Sequence, residues 1–348
     1  MEEQVTKIPV PILSKEKFEN GQETHLDKFL RSIMDQEKDY PLPEPVINIV
    51  QNLEKIPLLT LKSYSLWQGK QKSKKTTLLA MAIAAFINPK MQSDGIWFEG
   101  AMRGKVLFFD NEQGQSYAAR TMKLILKMAD LDKSPNLIYC DLREFSPQDR
   151  IKIIEAGINA TPGLKIVIID GIVDLLNDFM DAAEGHLSIT NIIRLCSLHN
   201  IHAAGVLHQN KADKNARAHV GTISSQKCEI EISTEVDTND RTQSIVECVN
   251  SRGIPFQPFA IKWEKGTLPI IVQDWTKPVK GDSMHPKVSR AIANTFEAGI
   301  SLGESAATKK MYDSGLAGSD STAKRYLKLA LTTYKLITQG PDKNYRLV

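Results

Sequence analysis

No two cysteines in this sequence form a C-x-x-C pair, the usual minimum for a zinc clip or a redox couple. The four present, Cys140, Cys196, Cys228 and Cys248, are scattered and read as reduced thiols of an intracellular protein. Long apolar runs are missing too. The longest, Leu78 to Ile87, is about half a membrane span. The start, MEEQVTKIPVPIL, is charged and broken by prolines, unlike a signal peptide. The expectation is a cytoplasmic protein with no membrane partner. Neither sign of charge dominates: 44 basic against 41 acidic residues leave +3. That excludes histone-like basicity but leaves room for a local nucleic-acid patch. There is no internal repeat and no low-complexity segment.

What the chain does have is alternation. From Leu61 to about Val272, the strand-like runs SYSLWQ, KVLFFD, NLIYCD, KIVIID and HAAGVLH take turns with helix-like stretches at 76–87, 116–128, 147–156 and 187–199. Short apolar strands separated by helices predict an α/β fold with a mainly parallel sheet covered on both faces. Four later runs, CEIEISTEVD, RTQSIVECVN, PFAIKWEK and LPIIVQDW, have no helices between them. They predict antiparallel strands extending that sheet, with turns at Asn239-Asp240 and Lys265-Gly266. Residues 1–45 read as a lead-in arm with one short helix at 26–34, residues 46–275 as the core, and 276–284 as a linker. The remainder, 285–348, carries helical patterns at 287–297, 304–312 and 320–333, then a hairpin signature around Gly340-Pro341-Asp342. Three short helices and a hairpin predict a small C-terminal winged-helix domain.

The most informative gap is a single glycine. WQGKQKSKKTTLL, residues 67–79, follows the phosphate-loop pattern G-x-x-x-x-G-K-[ST] except that Lys74 stands where the second glycine belongs. Gly69, Lys70, Gln71, Lys72, Ser73, Lys74, Lys75, Thr76 and Thr77 make up the candidate cradle for the phosphates of ATP. A strand feeds it and an apolar helix leaves it, so backbone N–H groups and a helix N-terminus face the anion. Lys75 would reach the β- and γ-phosphates, and the Thr76 hydroxyl would hold Mg²⁺. Lys74 still supplies its N–H if its side chain turns outward. The alternative is a lysine-rich surface loop.

Other candidates fall at the ends of the later strands. Glu112, in LFFDNEQGQS, follows a strand and suits activation of an attacking water; Asp110 suits it less well. Asp170 closes the apolar run of LKIVIID, as a Walker B aspartate that binds Mg²⁺ through water does. AAGVLHQNK brings His208, Gln209 and Asn210 to the same sheet edge, with Gln209 the candidate γ-phosphate sensor. The segment KADKNARAHVGT that follows reads as a mobile basic loop that touches DNA or a neighbouring subunit. Arg252, in VECVNSRGIPF, is a candidate arginine finger for the nucleotide of an adjacent subunit.

Together these motifs resemble the RecA-like P-loop ATPase superfamily, within it the DnaB, RepA and RadA/KaiC branch. FFDNE, IIDG, LHQN and NSRG carry the resemblance, over about residues 46–275. The run as a whole is similar to RepA-type ATPases of mobilizable elements and plasmids in Bacteroides-like bacteria, which carry comparable phosphate loops with a basic residue at the second glycine. The resemblance implies nucleotide-site roles for Lys75, Thr76, Glu112, Asp170 and Gln209. It implies less for Arg252, since many relatives have a Lys-x-Arg pair and Asn250 holds the lysine position here. It also implies a homo-oligomeric ring, a hexamer among the candidates, with single-stranded DNA as partner.

The tail has its own chemistry. GSDSTAKRYLKLAL opens with capping residues and sets Thr322, Lys324, Arg325 and Lys328 on a helix, with Tyr326, Leu329 and Ala330 facing inward. A winged helix places this helix in the major groove of duplex DNA, with Lys343 and Arg346 on the wing. From Asp282 onward ten basic residues face six acidic ones. A tail that binds a partner protein is the alternative. Two whole-protein readings compete: an ATP-driven DNA helicase or translocase acting in replication, mobilization or excision of a mobile element, and a nucleotide-gated DNA-binding regulator or loader that does not unwind.

Overall fold

Residues alternate so strictly along the central strands that each strand must be buried on both sides. In KVLFFD, Val106 and Phe108 pack into one apolar cluster while Leu107 and Phe109 pack into a second. In KIVIID, Ile166 and Ile168 join the first cluster, and Val167 and Ile169 the second. A strand with two apolar faces belongs inside a layered α/β unit.

The computed structural model describes residues 24–90, 95–178, 180–209, 218–238, 240–273, 275, 285–296 and 299–348. It divides into two units, Met1–Glu44 and Pro45–Val348. In the first, α1 (His25–Ser32) is closed by a capping box between Thr24 and Asp27 and has no buried residue. The second unit runs β1 (Pro45–Gln51), β2 (Glu54–Thr60), β3 (Ser63–Gly69), α2 (Lys75–Ile87), β4 (Trp97–Gly100), β5 (Lys105–Asp110), α3 (Gln115–Met128) and β6 (Leu137–Asp141). There follow α4 (Pro147–Ala160), β7 (Leu164–Asp170), α5 (Ala182–His199), β8 (His202–His208), α6 (Ala218–Lys227), β9 (Ile230–Val236), β10 (Gln243–Ser251), β11 (Phe259–Lys262) and β12 (Ile270–Val272). The chain ends in α7 (His285–Thr295), α8 (Glu304–Asp313), α9 (Asp320–Thr332), β13 (Ile337–Gln339) and β14 (Tyr345–Leu347).

Nine strands form one sheet in the order β12-β11-β10-β9-β3-β8-β7-β5-β6. The pairs from β9 to β6 are parallel and those from β9 to β12 antiparallel. This mainly parallel sheet between helices fits a RecA-like core. One reading needs correction. Ile230–Val236 was expected to open the antiparallel extension, but it pairs parallel with β3. The reason is α6, which supplies the crossover that a parallel neighbour requires. Its sequence read as the end of a loop; residues 210–217 of that loop lie outside the described residues, as do Asn210, Asn239 and the linker at 276–284. A second feature was not expected at all: β1, β2 and β4 make a separate antiparallel sheet in the order β2-β1-β4.

α2 is apolar all round, with ten buried residues among its thirteen, so it lies within the core and carries the phosphate loop on its N-terminus. The last three helices and the β13–β14 hairpin share a cluster of their own around Ile292, Met311, Leu327 and Ile337. On α9 the buried face is Ala323, Tyr326, Leu327 and Ala330, with Leu329 only half-buried. No helix among the described residues is long and apolar enough to cross a membrane.

A buried polar network fixes the start of β3 and β8. His202 Nδ1 donates to the Thr60 carbonyl at 2.9 Å, so its Nε2 accepts from Ser65 Oγ at 2.8 Å. Burial pushes this imidazole down to about 4 from its ordinary 6.5. The unfolded chain therefore takes up a proton below pH 6.5 that the fold refuses until about pH 4, so stability is present above that window and lost as pH falls through it. We expect a loss on the order of 3 kcal/mol across the window. Urea melts of the protein and of His202→Gln, compared above pH 6.5 and near pH 4, should show a flatter pH dependence for the variant.

Candidate nucleotide site

Gly69 ends β3 because nothing larger fits. A Cβ there would lie 2.4 Å from the Thr234 carbonyl and 2.5 Å from Ser73 Oγ. The chain then turns through Lys70–Ser73, closed by Ser73 N–H to the Lys70 carbonyl at 3.2 Å and Ser73 Oγ to Thr234 Oγ1 at 2.7 Å. Lys74 stands at the N-cap of α2 with φ 66° and ψ 28°, and no side chain caps the helix. Its backbone thus takes the left-handed conformation a glycine would supply, at a cost of roughly 1–2 kcal/mol for an L-residue. The side chain points away from the loop mouth: Nζ donates to the Arg241 carbonyl at 3.3 Å and Ser244 Oγ at 3.2 Å. The first N–H groups of α2 are left facing the mouth, as anion binding requires.

Lys74→Gly is accordingly expected to keep ATP affinity within about threefold, because glycine takes the same φ without strain. Lys74→Val, whose branched side chain resists a positive φ, should weaken it by more than about tenfold. Equilibrium binding of ATP to both variants checks the pair.

Five side chains, Lys75, His208, Glu112, Thr76 and Asp170, converge beside the loop. Lys75 Nζ, buried, donates to the carbonyls of Gly69 at 3.0 Å and Lys70 at 3.2 Å, and to His208 Nδ1 at 3.0 Å. An ammonium can only donate, so His208 Nδ1 accepts and its Nε2 carries the hydrogen. Nε2 then donates to Glu112 Oε2 at 3.2 Å. Lys75, His208 and Glu112 form one chain of bonds across the cleft. The His208 bond, and after it the Lys75 charge, hold the Glu112 carboxyl below its usual range against the opposing effect of burial. Burial lowers Lys75, partly offset by Asp170 and Glu112.

Thr76 Oγ1 donates to Asp170 Oδ2 at 3.0 Å. Asp170 is buried, and burial together with the nearby Asp110 and Glu112 charges pushes it up to about 7. A hydroxyl and a carboxylate, in a spot where further negative charge is unfavourable, suit a hard divalent cation. Among the described residues no three His, Cys, Asp or Glu side chains form a protein-only metal cage, and Mg²⁺ held with phosphates needs only one or two carboxylates. Thr76 and Asp170 would hold it, and Mg²⁺ when bound would neutralise phosphate charge.

Asp110 shapes the turn that carries Glu112. Its Oδ1 accepts the N–H of Glu112 at 3.2 Å and of Gln113 at 2.9 Å, and its Oδ2 accepts Tyr139 Oη at 2.8 Å. It is therefore a positioning group. The backbone N–H of Gln209 donates to the Gly69 carbonyl at 3.1 Å, stitching β8 to the loop. Arg252 lies elsewhere. Its N–H donates to the Glu229 carbonyl, and the preceding Ser251 pairs with Ile230, which pairs with Ser65 at the start of β3. That is the sheet edge opposite the loop, so Arg252 does not reach the cradle of its own chain. His208 was the residue underrated in the sequence; its two partners lie 133 and 96 positions away, and only the strand order brings them together.

A family model described as an AAA domain matches residues 35–214, half of the chain. The chain belongs to the AAA-domain family. This makes it a nucleotide-binding P-loop ATPase. Among solved structures, the KaiC-like protein of the hyperthermophilic archaeon Pyrococcus horikoshii OT3 is similar at 12% identity and a TM-score of 0.47, over 64% of this chain and 96% of that one. No curated protein matches this AAA-domain chain.

Proposed function

We propose that this protein hydrolyses ATP with Mg²⁺ and couples the reaction to movement on DNA, as a homo-oligomeric ring of helicase or translocase type serving a mobile element or plasmid. The observation that supports it most is the convergence of Lys75, Thr76, Asp170 and Glu112 on one cleft at the C-terminal ends of β3, β5 and β7. Glu112, kept ionised, takes a proton from the attacking water. Lys75 and the N-terminal N–H groups of α2 stabilise charge on the transferring phosphoryl group. A γ-phosphate competes with His208 for the Lys75 ammonium, which frees His208 to report the phosphate's presence to β8. Arg252 from an adjacent copy would add a further positive charge. Nearness to the RepA-type ATPases of mobilizable elements is part of this reading. The test is phosphate release from ATP and Mg²⁺ with and without single-stranded DNA, using Glu112→Gln as control. ATP binding with negligible turnover, indifferent to DNA, would sink the motor and favour a nucleotide-gated regulator or loader.

The tail supports a second contact with nucleic acid. Three helices, α7, α8 and α9, followed by the β13–β14 hairpin support the winged-helix reading, and α9 exposes Lys324, Arg325 and Lys328 beside half-buried Thr322. Lys343 lies exposed in the hairpin turn with φ 60°. Lys324 is partly engaged by Asp320 at 2.9 Å, and Arg346 by Asp342 at 2.7 Å. Arg325→Ala with Lys328→Ala is expected to weaken duplex binding about tenfold or more at low salt and to flatten its salt dependence. Unchanged DNA affinity would point instead to a protein partner for this face.

A further inference from the structure

A cleft of about 280 Å³ opens directly beside the phosphate loop, lined by Thr76, Thr77, Gln113, Tyr117, Arg120, Thr121, Leu124 and Trp263. It is small for a complete ligand site and suits one planar ring system. It shares Thr76 and Thr77 with the candidate phosphate site, so a ring bound in it would lie next to phosphates held at 69–77. Two of its threonine hydroxyls and its indole N–H are already committed. The Thr76 hydroxyl serves Asp170. Thr121 bonds Tyr139. The Trp263 indole N–H donates to the Thr267 carbonyl at 3.0 Å, which pins the ring and leaves its faces for packing. Tyr117, on the first turn of α3, is 65% exposed, a large aromatic ring with no core to fill.

We propose that this cleft is the base site of the nucleotide and that it grips the base by its faces, so that adenine and guanine nucleotides bind alike. Tyr117 and Trp263 stack on the ring, and Leu124 closes the apolar side. Discrimination between purines needs rigid donors and acceptors against the base edge. Of the uncommitted polar groups in the lining, Thr77 sits on α2 beside the phosphate loop, and Gln113 and Arg120 are long side chains that turn to suit either pattern. Stacking on aromatic side chains tolerates any base and favours the larger ring system. Purines therefore bind ahead of pyrimidines.

This rests on the reading of 69–77 as a phosphate site, and inorganic tripolyphosphate separates the two. Affinities for ATP, GTP, UTP and tripolyphosphate are measured with Mg²⁺ on the full chain and on Tyr117→Ala, Trp263→Ala and Trp263→Phe. ATP and GTP should agree within about threefold and exceed tripolyphosphate by about tenfold or more. Each alanine variant should lose about tenfold for the purine nucleotides and nothing for tripolyphosphate, with Trp263→Phe close to the parent. An ATP preference over GTP above about thirtyfold, or alanine variants that bind ATP like the parent, overturns the face-grip while leaving the phosphate site intact. Failure of both ATP and tripolyphosphate to bind the parent overturns both. Tyr117→Ala decides the matter if Trp263→Ala does not fold, since Tyr117 is exposed.

Discussion

Glu112→Gln should cut phosphate release from ATP by at least about a hundredfold while ATP binding stays within about threefold of the parent. The substitution is nearly isosteric. The amide that replaces the carboxylate would keep an oxygen for the His208 Nε2 hydrogen, so the bonded chain from Lys75 through His208 survives. What disappears is the capacity to take a proton. In the parent, the His208 bond and the Lys75 charge keep this carboxylate ionised in spite of burial, so the base is ready across the neutral range. Single-turnover measurement of bound ATP and of released phosphate separates the two effects. Loss of both together would mean that Glu112 holds the nucleotide rather than activating water.

The same residues show why some of the site was legible and some was not. The phosphate loop and the Walker B strand are local patterns, since each needs only one strand, one turn and the residues beside it. That is why Lys75, Thr76 and Asp170 stand together as their motifs imply. Lys74 was readable as a substitution but not as a left-handed lysine tethered to β10. The β1–β2 hairpin escaped notice because its turn uses Asn52 and Leu53 at φ 52° and 65°, positions where glycine would have given the usual signal. α6 escaped because polar composition alone does not tell a loop from a crossover helix. Arg252 was identified as a charged residue near a strand end, but which edge of the sheet that end occupies depends on the register of β10 against β9.

Gly171→Ala should lower turnover by about a hundredfold through displacement of Glu112, with ATP binding preserved. Gly171 follows Asp170 with φ 83°, in the left-handed region where alanine is strained by roughly 1–2 kcal/mol. Strain is the smaller part of the argument. A Cβ at this position would sit 2.6 Å from Glu112 Cγ and 2.6 Å from Asp174 Oδ2, so both side chains must move. Asp174 begins no new strand and has some freedom, but its backbone carbonyl is held by Arg150 Nη1 at 3.0 Å. Glu112 has its backbone N–H held by Asp110 Oδ1 at 3.2 Å, but its side chain is tied only through His208 and is free to shift. A shift of about 1 Å in a base is enough to lose much of its catalytic contribution. The three atoms nearest the added methyl belong to Asp174, Glu112 and Asn111, none of them in the phosphate loop. The variant should therefore melt only modestly lower, bind ATP normally and turn over slowly. Normal turnover in a folded Gly171→Ala protein would show that Glu112 is not held at its working position by this glycine, and would shift weight to Asp110 as the residue that sets the turn.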